Sequence, residues 1–234
     1  MRAAIVLAAL ICMTVVRGGL AAAPPIDVTG ASYAELDEAS GLWTLRGTPV
    51  TVRRGPITVR APSIIYDTRS QVVRASGGVS YRDESLSLEA PQITAWILEE
   101  RALAEDRVVA LQPRQNLRIT AGRLEVFGKE QRLLATGSAA VTSPEGSLAG
   151  DRIEASGQRD EVTAEGAARL RYEDIEGSAA RIVLRRRDGL ALFSGGALLR
   201  QGHNEVRAEM ISADLRRRRV TASGGASITA HPER

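Results

Sequence analysis

The run Ile57-Thr-Val-Arg-Ala-Pro-Ser-Ile-Ile-Tyr66, Asp67-Thr-Arg-Ser70, Gln71-Val-Val-Arg-Ala-Ser-Gly-Gly-Val-Ser-Tyr81 carries the pattern that decides the fold. Two stretches of strand length alternate apolar and polar residues and are separated by a short polar turn, as in a β-hairpin. In the first stretch Ile57, Val59 and Ala61 keep a period of two, but the next apolar residue on that side is Ile64, three positions on. A bulge or bend at that slip lets the strand curve. The second stretch breaks at Gly77-Gly78, and glycine inside a strand pattern marks a bulge or a left-handed backbone.

The unit recurs along the chain. An Ala or Gly is followed sixteen residues later by a Gly or Asp at Ala31/Gly47, Ala61/Gly77, Ala90/Asp106, Ala121/Gly137, Gly150/Gly166, Ala179/Gly195 and Ala208/Gly224. The three-residue slip returns at Ala90/Ile93, Ala121/Leu124, Gly150/Ile153, Ala179/Ile182 and Ala208/Ile211. Repeats of this length are one supersecondary unit stacked on copies of itself. The predicted fold is therefore all-β, an elongated solenoid of about seven creased hairpins that fills residues 28–234 as a single domain. In the third unit, Leu98, Glu99, Glu100, Ala102 and Leu103 are good helix formers, so a longer, locally helical turn is expected there. Asp106 stands where other units have Gly, and Asp tolerates a left-handed backbone better than most residues.

Met1 and Arg2 precede the apolar run Ala3 to Val16, and small residues follow through Ala23. Residues 1–22 are predicted to be a secretory signal, cleaved after Ala21 or Ala22, because a span across a bilayer needs about twenty apolar residues. The alternative is an uncleaved segment that anchors the chain. Cys12, the single cysteine, lies in that run, so an exported mature chain has no disulfide and depends on strand pairing and its apolar interior.

Catalytic chemistry has little to stand on. The two histidines, His203 and His231, are far apart in loop-like sequence. No metal-ligand cluster or cofactor motif is present, and the glycines follow the structural period rather than opening a helix as a phosphate loop does. A non-enzymatic protein with no cofactor is expected. The net charge is +3, and only Lys129 of the 31 basic residues is a lysine, which is weak grounds for an anionic partner. Nucleic acid is not expected as a partner, since no aromatics interleave with the basic residues.

The pattern apolar-x-apolar-x-Ala-x-x-Ile/Leu, then Ala-x-Gly-x-Ala/Val-x-Val, is visible in Ile119-Thr-Ala-Gly-Arg-Leu124 with Ala135-Thr-Gly-Ser-Ala-Ala-Val141. It returns in Val206-Arg-Ala-Glu-Met-Ile211 with Ala222-Ser-Gly-Gly-Ala-Ser-Ile228. In this the chain resembles the OstA-like proteins of lipopolysaccharide export, over roughly residues 28 to 230. The resemblance implies an elongated β-jellyroll, a stack of V-shaped strand pairs around an apolar groove for the acyl chains of lipopolysaccharide or a related acylated glycolipid. It also implies a periplasmic bridge built by edge-strand pairing with other OstA-like domains, with head-to-tail self-association as a further possibility. An inner-membrane location goes with the uncleaved alternative.

Aromatics make up only 3% of the chain, so Ile, Val, Leu and Ala line the interior. Such a lining either closes as a dry core or accepts chains of similar polarity. Ile64, Ile93, Leu124, Ile153, Ile182 and Ile211 occupy one repeat position and are the candidate lipid lining. Arg185, Arg186, Arg187, Arg216, Arg217, Arg218 and Arg219 fall about one repeat apart and form a candidate ridge for anionic headgroups, or an ordinary solvated turn. Trp43, Tyr66, Tyr81, Trp96, Phe127, Tyr172 and Phe193 lie mostly at expected strand ends, as plugs or rim packing. Leu124→Asp should be strongly destabilising and Arg186→Asp well tolerated. The rival reading is a structural or adhesive β-solenoid with a filled interior that binds a protein or glycan on its outer face.

Overall fold

The structure, a computed structural model, describes residues 25–230. The expected signal, Cys12 and His231 lie outside the described residues. Fourteen successive strands form one continuous antiparallel sheet in chain order, each bonded to the strand before and after it. They are β1 (Ile26–Asp37), β2 (Leu42–Arg54), β3 (Ile57–Asp67), β4 (Val72–Arg82), β5 (Ser87–Trp96), β6 (Arg101–Gln112) and β7 (Leu117–Phe127). There follow β8 (Arg132–Ser143), β9 (Gly146–Ser156), β10 (Glu161–Tyr172), β11 (Ile175–Arg185), β12 (Leu190–Gln201), β13 (Asn204–Asp214) and β14 (Arg219–Ser223). A fifteenth short strand, β15 (Ser227–Thr229), pairs with β13 beyond the last crease. Seven stacked hairpins result, in an elongated β-jellyroll. The expected helical turn of the third unit is absent: residues 97–100 form a four-residue turn like the others, and Trp96 pairs with Arg101. Strand pairing on both sides overrides the local helix propensity.

Every odd strand from β3 to β13 keeps its inner residues three apart at the crease, as Ala61/Ile64 and Ala121/Leu124 do. Every even strand from β4 to β12 spends two consecutive residues there in the left-handed region, at Gly77-Gly78, Asp106-Arg107, Gly137-Ser138, Gly166-Ala167 and Gly195-Gly196, and Gly224-Gly225 do the same between β14 and β15. The extra residue shifts the register of both flanking pairs and bends the strand sharply. Only the first unit differs, with a cis Thr48–Pro49 bond beside Gly47. Each strand is thereby folded into a V whose inner faces carry the core.

The open ends of the V form two lips. One carries the seven turns that join each odd strand to the next even one, every turn four residues long and ending in a left-handed residue: Gly41, Gln71, Glu100, Gln131, Asp160, Gly189 and Arg218. Six of these residues accept a hydrogen bond from the first amide of the next turn. Thr68 N bonds Gly41 O, Ile97 N bonds Gln71 O, Gly128 N bonds Glu100 O, Gly157 N bonds Gln131 O, Arg186 N bonds Asp160 O and Leu215 N bonds Gly189 O, at 2.7 to 3.1 Å. We call this the ladder lip. The turns of the opposite lip vary from two residues at 173–174 to four at 83–86.

Candidate functional site

Between the two legs, from β4 to β8, lies a cavity of about 290 Å³. Leu86, Leu88 and Ile119 line it from one leg, and Ile93, Leu124, Val126 and Leu133 from the other. Its origin is a local lack of volume on β6. The inner positions held by Leu133 and Val162 on β8 and β10 are matched on β6 by Ala102, and those held by Val141, Leu170 and Leu199 by Ala110. Both alanines line the cavity. Protein interiors otherwise close-pack, so unfilled apolar space is the informative feature.

Polar groups gather only at the rim. On the lip opposite the ladder, Asp83 accepts bonds from the Tyr81 hydroxyl at 2.7 Å, the Ser85 amide at 2.7 Å and the Leu86 amide at 2.8 Å. Burial pushes the Asp83 carboxyl up, but these bonds together outweigh it and hold it below the usual carboxylate range. Burial and the bond to Asp83 push the Tyr81 phenol well above its ordinary value. On the ladder lip, four neighbouring strands contribute an alternating stack of cations and rings. The Arg101 guanidinium lies 4.5 Å from the Trp96 ring centre and 5.6 Å from that of Phe127, and Arg132 lies 3.8 Å from Phe127. Arg101 Nε also donates to the buried Glu125 at 2.7 Å, which fixes the guanidinium at the rim.

Of the six positions predicted to line one groove, Ile93 and Leu124 face the cavity. Ile64 sits in a small N-terminal cluster with Val50, Ala61, Ala75 and Val79. Ile153, Ile182 and Ile211 are closed off inside the main core, each at most 1% exposed. There Phe193, expected near a strand end, instead lies within β12 and is 1% exposed, its ring against Gly177 of the other leg. Among the described residues, no group of acidic, histidine or cysteine side chains is placed to hold a metal, and no helix is long and apolar enough to cross a membrane.

The arginine runs lie far from the cavity, at the carboxy-terminal end of the ladder lip. Arg185 and Arg219 belong to strand ends, and the rest lie in turns. Arg185 meets Glu161 at 3.2 Å, Arg186 pairs with Asp160, and Arg217 approaches Asp214 at 3.9 Å. Burial lowers the Arg186 pKa, against the opposing pull of Asp160. Arg186 is thus a half-buried ion-pair partner, and a carboxylate in its place would face Asp160, contrary to the tolerance expected for Arg186→Asp. Arg218 reaches across the mouth of the V to Asp174 and Glu173, on the opposite lip.

The residues that make the cavity, Ala102 and Ala110, escape a search for conspicuous apolar side chains. Their signal is the small size of β6 residues against their equivalents on later strands.

A family profile described as LptA/(LptD N-terminal domain) LPS transport protein matches residues 87–219, more than half of the chain. No curated protein matches. Among solved structures, the chain is similar to LptH, described as the LptA homologous periplasmic component of the conserved lipopolysaccharide transport device from Pseudomonas aeruginosa. The two are 18% identical with a TM-score of 0.48, over 51% of this chain and 97% of that one.

Proposed function

Since the chain belongs to the LptA/(LptD N-terminal domain) family of LPS transport proteins, we propose that it is a non-enzymatic periplasmic bridge component that holds acyl chains of lipopolysaccharide, or of a related glycolipid, between the legs of its V. The observation that carries this reading is the cavity between β4 and β8, apolar within and polar only at its rim. Burying one methylene is worth about 0.8 kcal/mol, so even a partly enclosed acyl chain has ample drive to occupy such a site. The glycolipid's sugars and phosphates stay at the mouth, in water. Like domains pair by their edge strands. The first of these, β1, is exposed along its whole length and presents Ile26, Val28, Tyr33 and Leu36. A free edge of this kind is a template for another chain.

The filled interior around Ile153, Ile182 and Phe193 favours the rival reading, a structural solenoid whose outer face binds a protein or glycan. Photo-crosslinking separates the two. A diazirine side chain at Ile93 or Leu124 is expected to label purified lipopolysaccharide, while one at Arg69 or Arg159, in outer turns, is not. Absence of adducts at both cavity positions would leave the structural solenoid.

A further inference from the structure

The interior is divided. Open volume ends at β8, and from β9 to β13 the two legs meet in a packed core. The mouth changes in step with the interior. At the cavity, Asp83 and Ser85 stand on one lip and Glu100 and Gly128 on the other, and the bonds of Asp83 stay within its own lip, to Tyr81, Ser85 and Leu86. At the packed end, Arg218 of the ladder lip spans the mouth to Asp174, with Glu173 at 4.0 Å, and Gln201 contacts Asp174 from the end of β12. Contact between residues 44 apart, in turns at opposite ends of the strands, requires the two lips to be drawn together.

We propose that Arg218 with Asp174 and Glu173 is a latch that keeps the carboxy-terminal half of the V shut, so that an acylated ligand enters from the side at β4–β8 and advances along the axis only when the latch releases. This rests on the acyl-chain reading of the cavity. The chemistry suits a latch that opens. Arg218 and Asp174 are each about half exposed, at 54% and 43%, and ion pairs so exposed are weak and screened by salt. Leu170 and Ile175 on one leg and Ile182 and Leu184 on the other belong to one buried apolar cluster behind the latch, a surface of the same polarity as an acyl chain.

The test uses the full mature chain with a diazirine side chain either at Ile119, in the cavity, or at Leu170, behind the latch, and purified lipopolysaccharide as probe. In the otherwise unaltered chain Ile119 should be labelled and Leu170 only weakly. The variant Glu173→Gln/Asp174→Asn should raise labelling at Leu170 about five-fold, the population shift expected from losing one exposed ion pair, and leave Ile119 unchanged. High salt should raise Leu170 labelling in the chain that retains the latch and add nothing in the variant. Equal labelling at both positions in the unaltered chain, or no change at Leu170 on release, would overturn the latch. If Ile119 is never labelled, the acyl-chain reading fails, and hydrogen exchange decides the latch by itself. The Leu215 amide, bonded to Gly189 O at the ladder lip, should then exchange faster in the variant, and unchanged exchange would refute it.

Discussion

The ring of Phe193 occupies the place where a side chain on Gly177 would stand: a Cβ at Gly177 would come within 2.3 Å of the ring. Five of the other units solve the same packing problem with the sizes reversed. Val59, Leu88, Ile119, Leu148 and Val206 hold the position of Gly177, and Ala75, Ala104, Ala135, Ala164 and Ala222 that of Phe193, always sixteen residues on. Large and small have changed places across the interior, and the total volume is roughly kept.

Phe193→Ala is therefore expected to lower stability by about 3–5 kcal/mol through the cavity it leaves. Gly177→Leu alone should cost at least about 1–3 kcal/mol by overpacking. Together they recreate the Leu148/Ala164 arrangement, so the double variant should be more stable than the sum of the single losses allows. Denaturant unfolding of the four proteins gives the coupling directly, and simple additivity would contradict the contact.

Filling the cavity separates stability from ligand capacity. Ala110→Val puts on β6 the volume that Val141 supplies on β8, and should stabilise by about 1 kcal/mol. The same variant should weaken lipopolysaccharide labelling at Ile119. Thermal unfolding and crosslinking measured side by side check both halves, and unchanged labelling would count against the cavity as the site.

Leu124 is 2% exposed, so Leu124→Asp, which buries an unpaired carboxylate, should cost several kcal/mol, about 3 or more. Arg186→Asp should also destabilise, because the new carboxylate would face Asp160. Arg187 is exposed in the same turn, and Arg187→Asp should change stability by no more than about 0.5 kcal/mol. Urea midpoints for the three variants test the ranking.

The rim turn at Asp83 should loosen in acid. Its carboxyl is held below its ordinary value in the folded chain, so the stabilisation is complete above about pH 4, the unfolded value, and is lost as pH falls through the lower folded value. Tyr81 is raised, so its contribution is complete below about pH 10 and fades only in stronger alkali. Asp83→Asn should flatten the acid side of a stability profile, and an unchanged profile would show that this turn does not govern it.

The fold was legible because its creases demand special residues. Ala61 sixteen residues before Gly77, repeated down the chain, marks where a strand must bend inward and its partner must turn left-handed. The left-handed Ser138, Ala167 and Arg107 carry no such mark, since their neighbours impose the conformation. In the third unit, Leu98 to Leu103 favoured helix locally, and two flanking strands decided otherwise. The site was harder to see. One repeat position joined Ile93 to Ile182 in an imagined continuous track, yet what opens or fills the interior is the sum of side chains facing each other across the V, as at Ala110 and Phe193. That sum becomes readable only when equivalent positions on different strands are compared for size.

The six amide bonds that tie each four-residue turn to its neighbour act like the sewn spine of a book. Pages of about 29 residues can be added or removed whole, and the stitching still meets. A single extra residue beside Arg187 would put the stitch between Asp160 and Arg186 out of step with the one between Gly189 and Leu215. The fore-edge is under no such rule, and its turns already differ in length. Tags, fluorophores or grafted loops therefore belong at fore-edge turns such as Gly55-Pro56, away from the sewn spine.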